Sequence, residues 1–209
     1  MTARWRVAAL LLTLALTLAL GACGDDGDAQ DADVPEGAVA VIGDTEISTD
    51  DLEQQKEALR RAQPKQSASE REQEQDDPEA RADAKQRLNE QALSLLLSAQ
   101  AFEQEAAERG IKVDVAEARR RWESVADKQF KTAKARRTFL GGQTEEDVVA
   151  QLRLQMLAEA IYAQVAEEAG GGKQGAKAAA RFQKDLYKQW QGKTTCEGIR
   201  AAGCPAPSE

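Results

Sequence analysis

The chain has 209 residues, of which 42% are apolar but only 4% aromatic, and it carries 36 acidic against 28 basic side chains for a net charge of −8. That length fits one domain of ordinary size or two small ones. So acidic a surface keeps the chain soluble and is unsuited to general nucleic-acid binding, while few aromatics and abundant alanine point to a thin, helical core.

At the N-terminus, Arg4 and Arg6 precede an apolar run from Val7 to Leu20, interrupted only by Thr13 and Thr17. The run is shorter than the roughly 20 residues a bilayer span needs and suits the h-region of a cleaved export signal. Leu20-Gly21-Ala22-Cys23 then places small residues before a cysteine. This pattern resembles the bacterial lipobox. The resemblance implies a lipoprotein signal peptide over residues 1–22, cleavage after Ala22 and diacylglycerol on the Cys23 thiol. An ordinary signal peptide with a chance cysteine is the alternative. On the lipobox reading the mature chain sits on the extracytoplasmic face of a bacterial membrane, held by acyl chains, of which two or more give stable anchoring.

Residues 23–37 read as an acidic tether. Asp25, Asp26, Asp28, Asp31, Asp33 and Glu36 have no basic neighbour, and their repulsion favours an extended segment. A calcium loop starting at Asp26 fails on its pattern: Asp31 stands where an EF-hand needs Gly, and Gly37 where it needs Glu.

The helical domain is placed at 38–169. Ala38 to Ile47 predicts a β-hairpin with Gly43-Asp44 as its two-residue turn. Ser48, with Asp51 three residues on, is an N-cap for a helix whose inner face carries Leu52 and Leu59 and which ends at Gln63-Pro64. Residues 63–77 are polar and low in complexity, and read as a mobile loop. Asp77-Pro78 opens a long helix with an expected inner stripe of Leu88, Ala92, Leu95, Leu96, Ala99, Phe102 and Ala106. Gly110 stops it, and Ile111 to Val113 is a short extended piece. Asp114 with Glu117 starts the next helix, its expected inner positions being Val115, Ala118, Trp122 and Val125.

Between Lys112 and Thr138 the chain turns basic, with nine bases and four acids. This stretch reads as a solvated helix face balancing acidic neighbours, or as an attractor of acidic clients, envelope polymers or headgroups. Phe139-Leu140 precedes a break at Gly141-Gly142. Thr144, with Asp147, caps a further helix whose apolar positions, Val148, Leu152, Met156, Ile161 and Val165, predict burial on more than one side. Residues 170–175, with Gly170-Gly171-Gly172 and Gly175, form a flexible, Gly-rich joint. The region 176–209 holds a last helix, with Phe182, Leu186 and Trp190 spaced by four, and a cysteine loop. In an oxidising compartment Cys196 and Cys204 default to a disulfide; free thiols or a metal pair are the alternatives.

In this order the segments AVAVIGDTEISTDDLEQ, SLLLSAQAFEQEAAERGIKVDVAEA and FLGGQTEEDVVAQLRLQMLAEAI resemble the N-terminal domain of the SurA/PrsA-type extracytoplasmic chaperones, related in shape to the C-terminal region of trigger factor. The first matches the family's strand, turn, strand and helix, with Gly43-Asp44 in place of the usual Asn-Gly. The second matches its helix, Gly-Ile-x-Val and helix, and the third its capped apolar helix. The tail WQGKTTCEGIRAAGC resembles that of secreted relatives. The resemblance covers about residues 38–166 plus this tail. It implies a mainly α fold: a helical chaperone cradle with a small N-terminal β-hairpin, a C-terminal aromatic helix and a disulfide-closed tail. It departs from full-length relatives in one respect. Where they carry a parvulin isomerase domain before the last aromatic helix, this chain has only the Gly-rich joint.

Catalytic patterns are missing. There is no histidine, which removes Ser-His-Asp and Cys-His systems, His metal sites and the paired histidines that resemblance would place in a parvulin site. None of the seven serines has Lys three residues later, and no phosphate-binding glycine motif occurs. No enzyme, metal or cofactor is expected.

The expected function is a membrane-anchored holdase that binds unfolded or nascent exported polypeptides and lacks isomerase activity. Trp122, Phe130, Phe139, Leu140 and Tyr162 are the candidate peptide-binding residues, each also open to a reading as ordinary core. The alternatives are a scaffolding envelope lipoprotein that binds one folded partner, and a vestigial subunit of a larger isomerase complex.

Overall fold

The computed structural model describes residues 34–62, 77–199 and 201–205. The expectations for the signal peptide, Cys23, nearly all of the tether, the 63–77 loop up to residue 76 and the last four residues lie outside them. Among the described residues there are three strands and six helices: β1 (Ala38–Ile42), β2 (Thr45–Ser48), α1 (Thr49–Ala62), α2 (Pro78–Glu108), α3 (Val115–Gln129), α4 (Ala133–Leu140), α5 (Glu145–Glu168), α6 (Gly172–Gln191) and β3 (Thr194–Cys196). The mainly helical class with its N-terminal hairpin is as the sequence implied.

The helix starts follow the caps. Ser48 and Asp51 bond reciprocally at the head of α1, with Ser48 N donating to Asp51 Oδ2 at 3.0 Å and Asp51 N to Ser48 Oγ at 3.1 Å. Asp77 accepts from the amides of Glu79 and Ala80, and Pro78 takes the first position of α2, where its missing N–H costs nothing. Asp114 accepts from Glu117 N at 2.7 Å. Thr144 and Asp147 complete a capping box on α5. The short helix α4 had not been anticipated; Thr132 caps it by accepting from Ala135 N.

The hairpin turns at Gly43-Asp44, where Gly43 has φ +57°, a conformation only glycine adopts cheaply. β3 returns to β1, giving an antiparallel sheet in the order β2-β1-β3 with Ala40 opposite both Ile47 and Cys196. This third strand was not expected from sequence. It gives the marginal hairpin a second partner. α2 supports the hairpin from below: Gln104 Nε2 donates to Ile42 O at 2.9 Å and to Thr45 Oγ1 at 3.1 Å.

Three apolar clusters hold the helices. The first joins the hairpin, α1, the middle of α2, and Leu186, Trp190 and Cys204. The second joins Ala118, Trp122 and Ala126 of α3 to Val149 and Met156 of α5. The third joins Ala106 of α2 to Leu157, Ile161 and Val165 of α5. α5 thus buries more than one side, as its apolar density predicted.

Three expectations need correction. The inner face of α2 runs through Ala92, Leu93, Leu97, Ala101 and Ala106, while Leu95 is 40% exposed. α2 meets the hairpin core with one half and α5 with the other, so its buried face turns along the helix and no single stripe describes it. In α3, Val115 is 53% exposed and Ala126 takes the expected place of Val125 in the core. The Gly-rich joint is not a loose linker. Gly172 and Gly175 lie inside α6, and a Cβ on buried Gly175 would stand 2.5 Å from the Ala166 carbonyl oxygen. Gly175 therefore lets α6 lie directly against α5 at Ala166.

Candidate functional site

Of the candidate residues, Trp122, Phe130, Phe139 and Leu140 come together where α3, α4 and α5 meet. The local cause is the break after α3. Phe130 ends that helix in an extended conformation, and Thr132 restarts the chain as α4, which brings Phe139 back over Trp122. The Phe139 ring lies 6.1 Å from Trp122 at an interplanar angle of 25°, and 4.8 Å from Phe130. Phe130 completes the set at 6.2 Å from Trp122.

The rings differ in access. Trp122 is 4% exposed and forms the floor, whereas Phe139 is 45% exposed and forms the outer face; Phe130 and Leu140 lie between. Polar contacts fix the floor. Trp122 Nε1 donates to Glu145 Oε2 at 3.4 Å, the same carboxylate accepts from Arg136 Nη2 at 2.5 Å, and the Arg136 guanidinium sits 5.5 Å above the indole. No residue of α4 is fully buried. Leu140 and Phe139 hold it to the body by one edge, so its outer side is exposed.

Gly142 adjoins the site for a steric reason. A Cβ there would collide with the Arg61 carbonyl oxygen, so the turn between α4 and α5 rests directly on the end of α1. The Arg61 guanidinium then grips Asp147 with two bonds, of 3.2 and 3.0 Å. Burial works to raise the Asp147 carboxyl, but hydrogen bonds from Arg61 and from the Thr144 backbone and hydroxyl, with the Arg61 charge, carry it below its usual range.

Tyr162 does not belong to this group. It stands in a second stack between Phe102 of α2 and Phe182 of α6, edge-on to both, with centroids 6.1 and 6.2 Å away. Arg109 covers the far ring, 4.8 Å above Phe182. Burial raises the Tyr162 phenol above its ordinary value. The fourfold spacing of Phe182 pointed it inward, but nothing local indicated that three helices would converge on Tyr162.

The basic stretch is partly absorbed by α5. Arg119 pairs with Glu146, Arg121 with Glu159 and Arg136 with Glu145, in keeping with a helix face balanced by acidic neighbours. A shallow hollow of about 360 Å³ between α2 and the cysteine loop is lined by Ala82, Lys85, Gln86, Asn89, Gly198 and Ile199. Among the described residues no three His, Cys, Asp or Glu side chains converge as metal ligands would, and no helix is long and apolar enough to cross a membrane.

The family model for a SurA-like N-terminal domain matches residues 1–162. The chain belongs to this family. Membership in the SurA-like N-terminal domain family sets the protein in a chaperone-type group. The match spans the hairpin, the helices from α1 to α4 and most of α5, while α6 and the cysteine loop lie beyond the matched residues. No curated protein and no solved structure matches the chain.

Proposed function

We propose that this protein is a lipid-anchored extracytoplasmic holdase that shields apolar segments of unfolded exported polypeptides and has no isomerase activity. The observation that carries the reading is an exposed aromatic face, with Phe139 outermost, on a chain of a chaperone-type family. A ring already half in water, lying on a rigid Trp122 floor, gains about 25 cal/mol for each Å² that a client covers, and needs no rearrangement to be available. A contact of that size is weak and reversible, as a holdase requires. The Leu20-Gly21-Ala22-Cys23 pattern supports anchorage by a lipid on Cys23. Polypeptide clients are the expected partners, with no cofactor.

The mature chain without its lipid is expected to suppress the aggregation of several unrelated unfolded proteins at near-stoichiometric ratios. Failure on all of them, with capture of one folded partner, would identify a scaffold instead. Incorporation of labelled fatty acid into the wild type but not into Cys23→Ala checks the anchor; equal labelling of both would remove it.

A further inference from the structure

The bases around the exposed aromatic face carry the inference. From Lys128 to Thr144 the chain holds Lys128, Lys131, Lys134, Arg136 and Arg137 and no acidic residue. Within this stretch Arg136 is the base that pairs with a carboxylate among the described residues, through Glu145. Lys128, Lys131, Lys134 and Arg137 are exposed, at the end of α3 and on or just before α4. Two arginines earlier in α3 behave differently: Arg119 and Arg121 are matched to acids of α5. In a protein of net charge −8, positive charge without a carboxylate partner among the described residues has therefore collected on and near the helix that carries its outermost aromatic ring.

We propose that α4 and its flanks select polypeptide segments in which carboxylates lie close to apolar or aromatic side chains. This rests on the holdase reading and names the client chemistry at the same site. The ring takes the apolar side chain by stacking and area covered. Lys131, Lys134 and Arg137 take flanking Asp or Glu side chains at the solvated edge, where opposite charge speeds encounter and steers register more than it deepens affinity. The same bases favour acidic chains over the basic ones that the rest of this acidic surface would attract. A polypeptide suits the site better than a lipid surface because the aromatic face is a single outer ring on a buried floor, with Leu140 half-buried behind it. A surface-seeking helix would present a row of apolar side chains to the bilayer.

The test uses the purified full chain and three labelled peptides that share one aromatic pair, flanked by Asp, by Ser or by Lys. Fluorescence anisotropy is expected to rank them Asp, Ser, Lys, with the Asp peptide bound about fivefold tighter than the Ser peptide, the scale a few exposed ion pairs allow. The preference should vanish at about 0.5 M salt, where the screening length is only a few ångströms. It should also vanish in Lys131→Glu/Lys134→Glu/Arg137→Glu, whose folding is checked by circular dichroism. Equal binding of the three peptides overturns the charge selection and leaves the holdase reading standing. Absence of binding together with absence of aggregation suppression overturns both. Binding of anionic phospholipid vesicles, with no peptide bound, assigns the patch to lipid and overturns the proposal.

Discussion

The two ends of the molecule treat their aromatic side chains in opposite ways. At the hairpin end, Trp190 is 4% exposed and Leu186 5%, both inside the largest apolar cluster. β3 pairs with β1, and the Cys196–Cys204 disulfide, with Cα atoms 5.7 Å apart, pins the strand to the tail. At the α3–α4–α5 end, Trp122 is just as buried, but the ring stacked on it remains 45% exposed. A thin, alanine-rich core cannot cover every large side chain. Here the uncovered ring is on the one described helix that has no fully buried residue. On this account stability is concentrated at the first end and client contact at the second, and mutations can separate the two.

The largest effect is expected from Trp190→Ala, which should cost about 3–5 kcal/mol in denaturant unfolding. Trp190 Nε1 has no hydrogen-bond partner among the described residues, so the loss is mainly one of packing, with the Lys193 ammonium 4.5 Å above the ring also released. A cost below about 1 kcal/mol, within the range of a surface substitution, would mean that the hairpin end is not the stabilising one. Next comes Cys196→Ser/Cys204→Ser. Closing a loop with a sequence separation of 8 is worth about 2–3 kcal/mol in the chain-entropy model. The variant should melt earlier yet suppress aggregation as the wild type does at temperatures where both are folded. Parallel loss of both properties would break the division between the ends.

Asp147→Asn is expected to have a smaller effect, about 1–2 kcal/mol, because it weakens a capping box and the grip of Arg61 together. Its pH dependence has a definite sign. The carboxyl is held below its ordinary value in the folded protein, so its contribution is complete above the unfolded carboxylate pKa of about 3.9 and is lost as pH falls through the folded value. Melting temperatures of wild type and variant should therefore differ at neutral pH and converge in acid. A constant gap would show that the charge of Asp147 is not what it contributes.

The sequence showed best what is decided within a few residues. The caps at Ser48, Asp77, Asp114 and Thr144 are local hydrogen bonds between a side chain and amides two or three positions on, and all four stand as read. The Gly43-Asp44 turn and the four-residue spacing of Phe182, Leu186 and Trp190 are likewise local. What failed depends on distant partners. Leu95 and Val115 look inward by periodicity but face solvent, because α2 and α3 pack on neighbours whose directions periodicity does not contain. Gly175 reads as flexible in isolation, and its packing against Ala166 requires knowing where α5 lies. The site divides in the same way. Phe139-Leu140 beside two glycines stood out in the chain, but the separation of Tyr162 from the other four follows from the crossing of α2, α5 and α6.

The most direct measurement is aggregation suppression by Phe139→Ser/Leu140→Ser, with Leu95→Ser as a control that removes another exposed apolar side chain elsewhere. The double variant, with wild-type helicity, is expected to lose most of its suppression while the Leu95 control keeps it. Undiminished suppression by the folded double variant would contradict the assignment of client contact to this face.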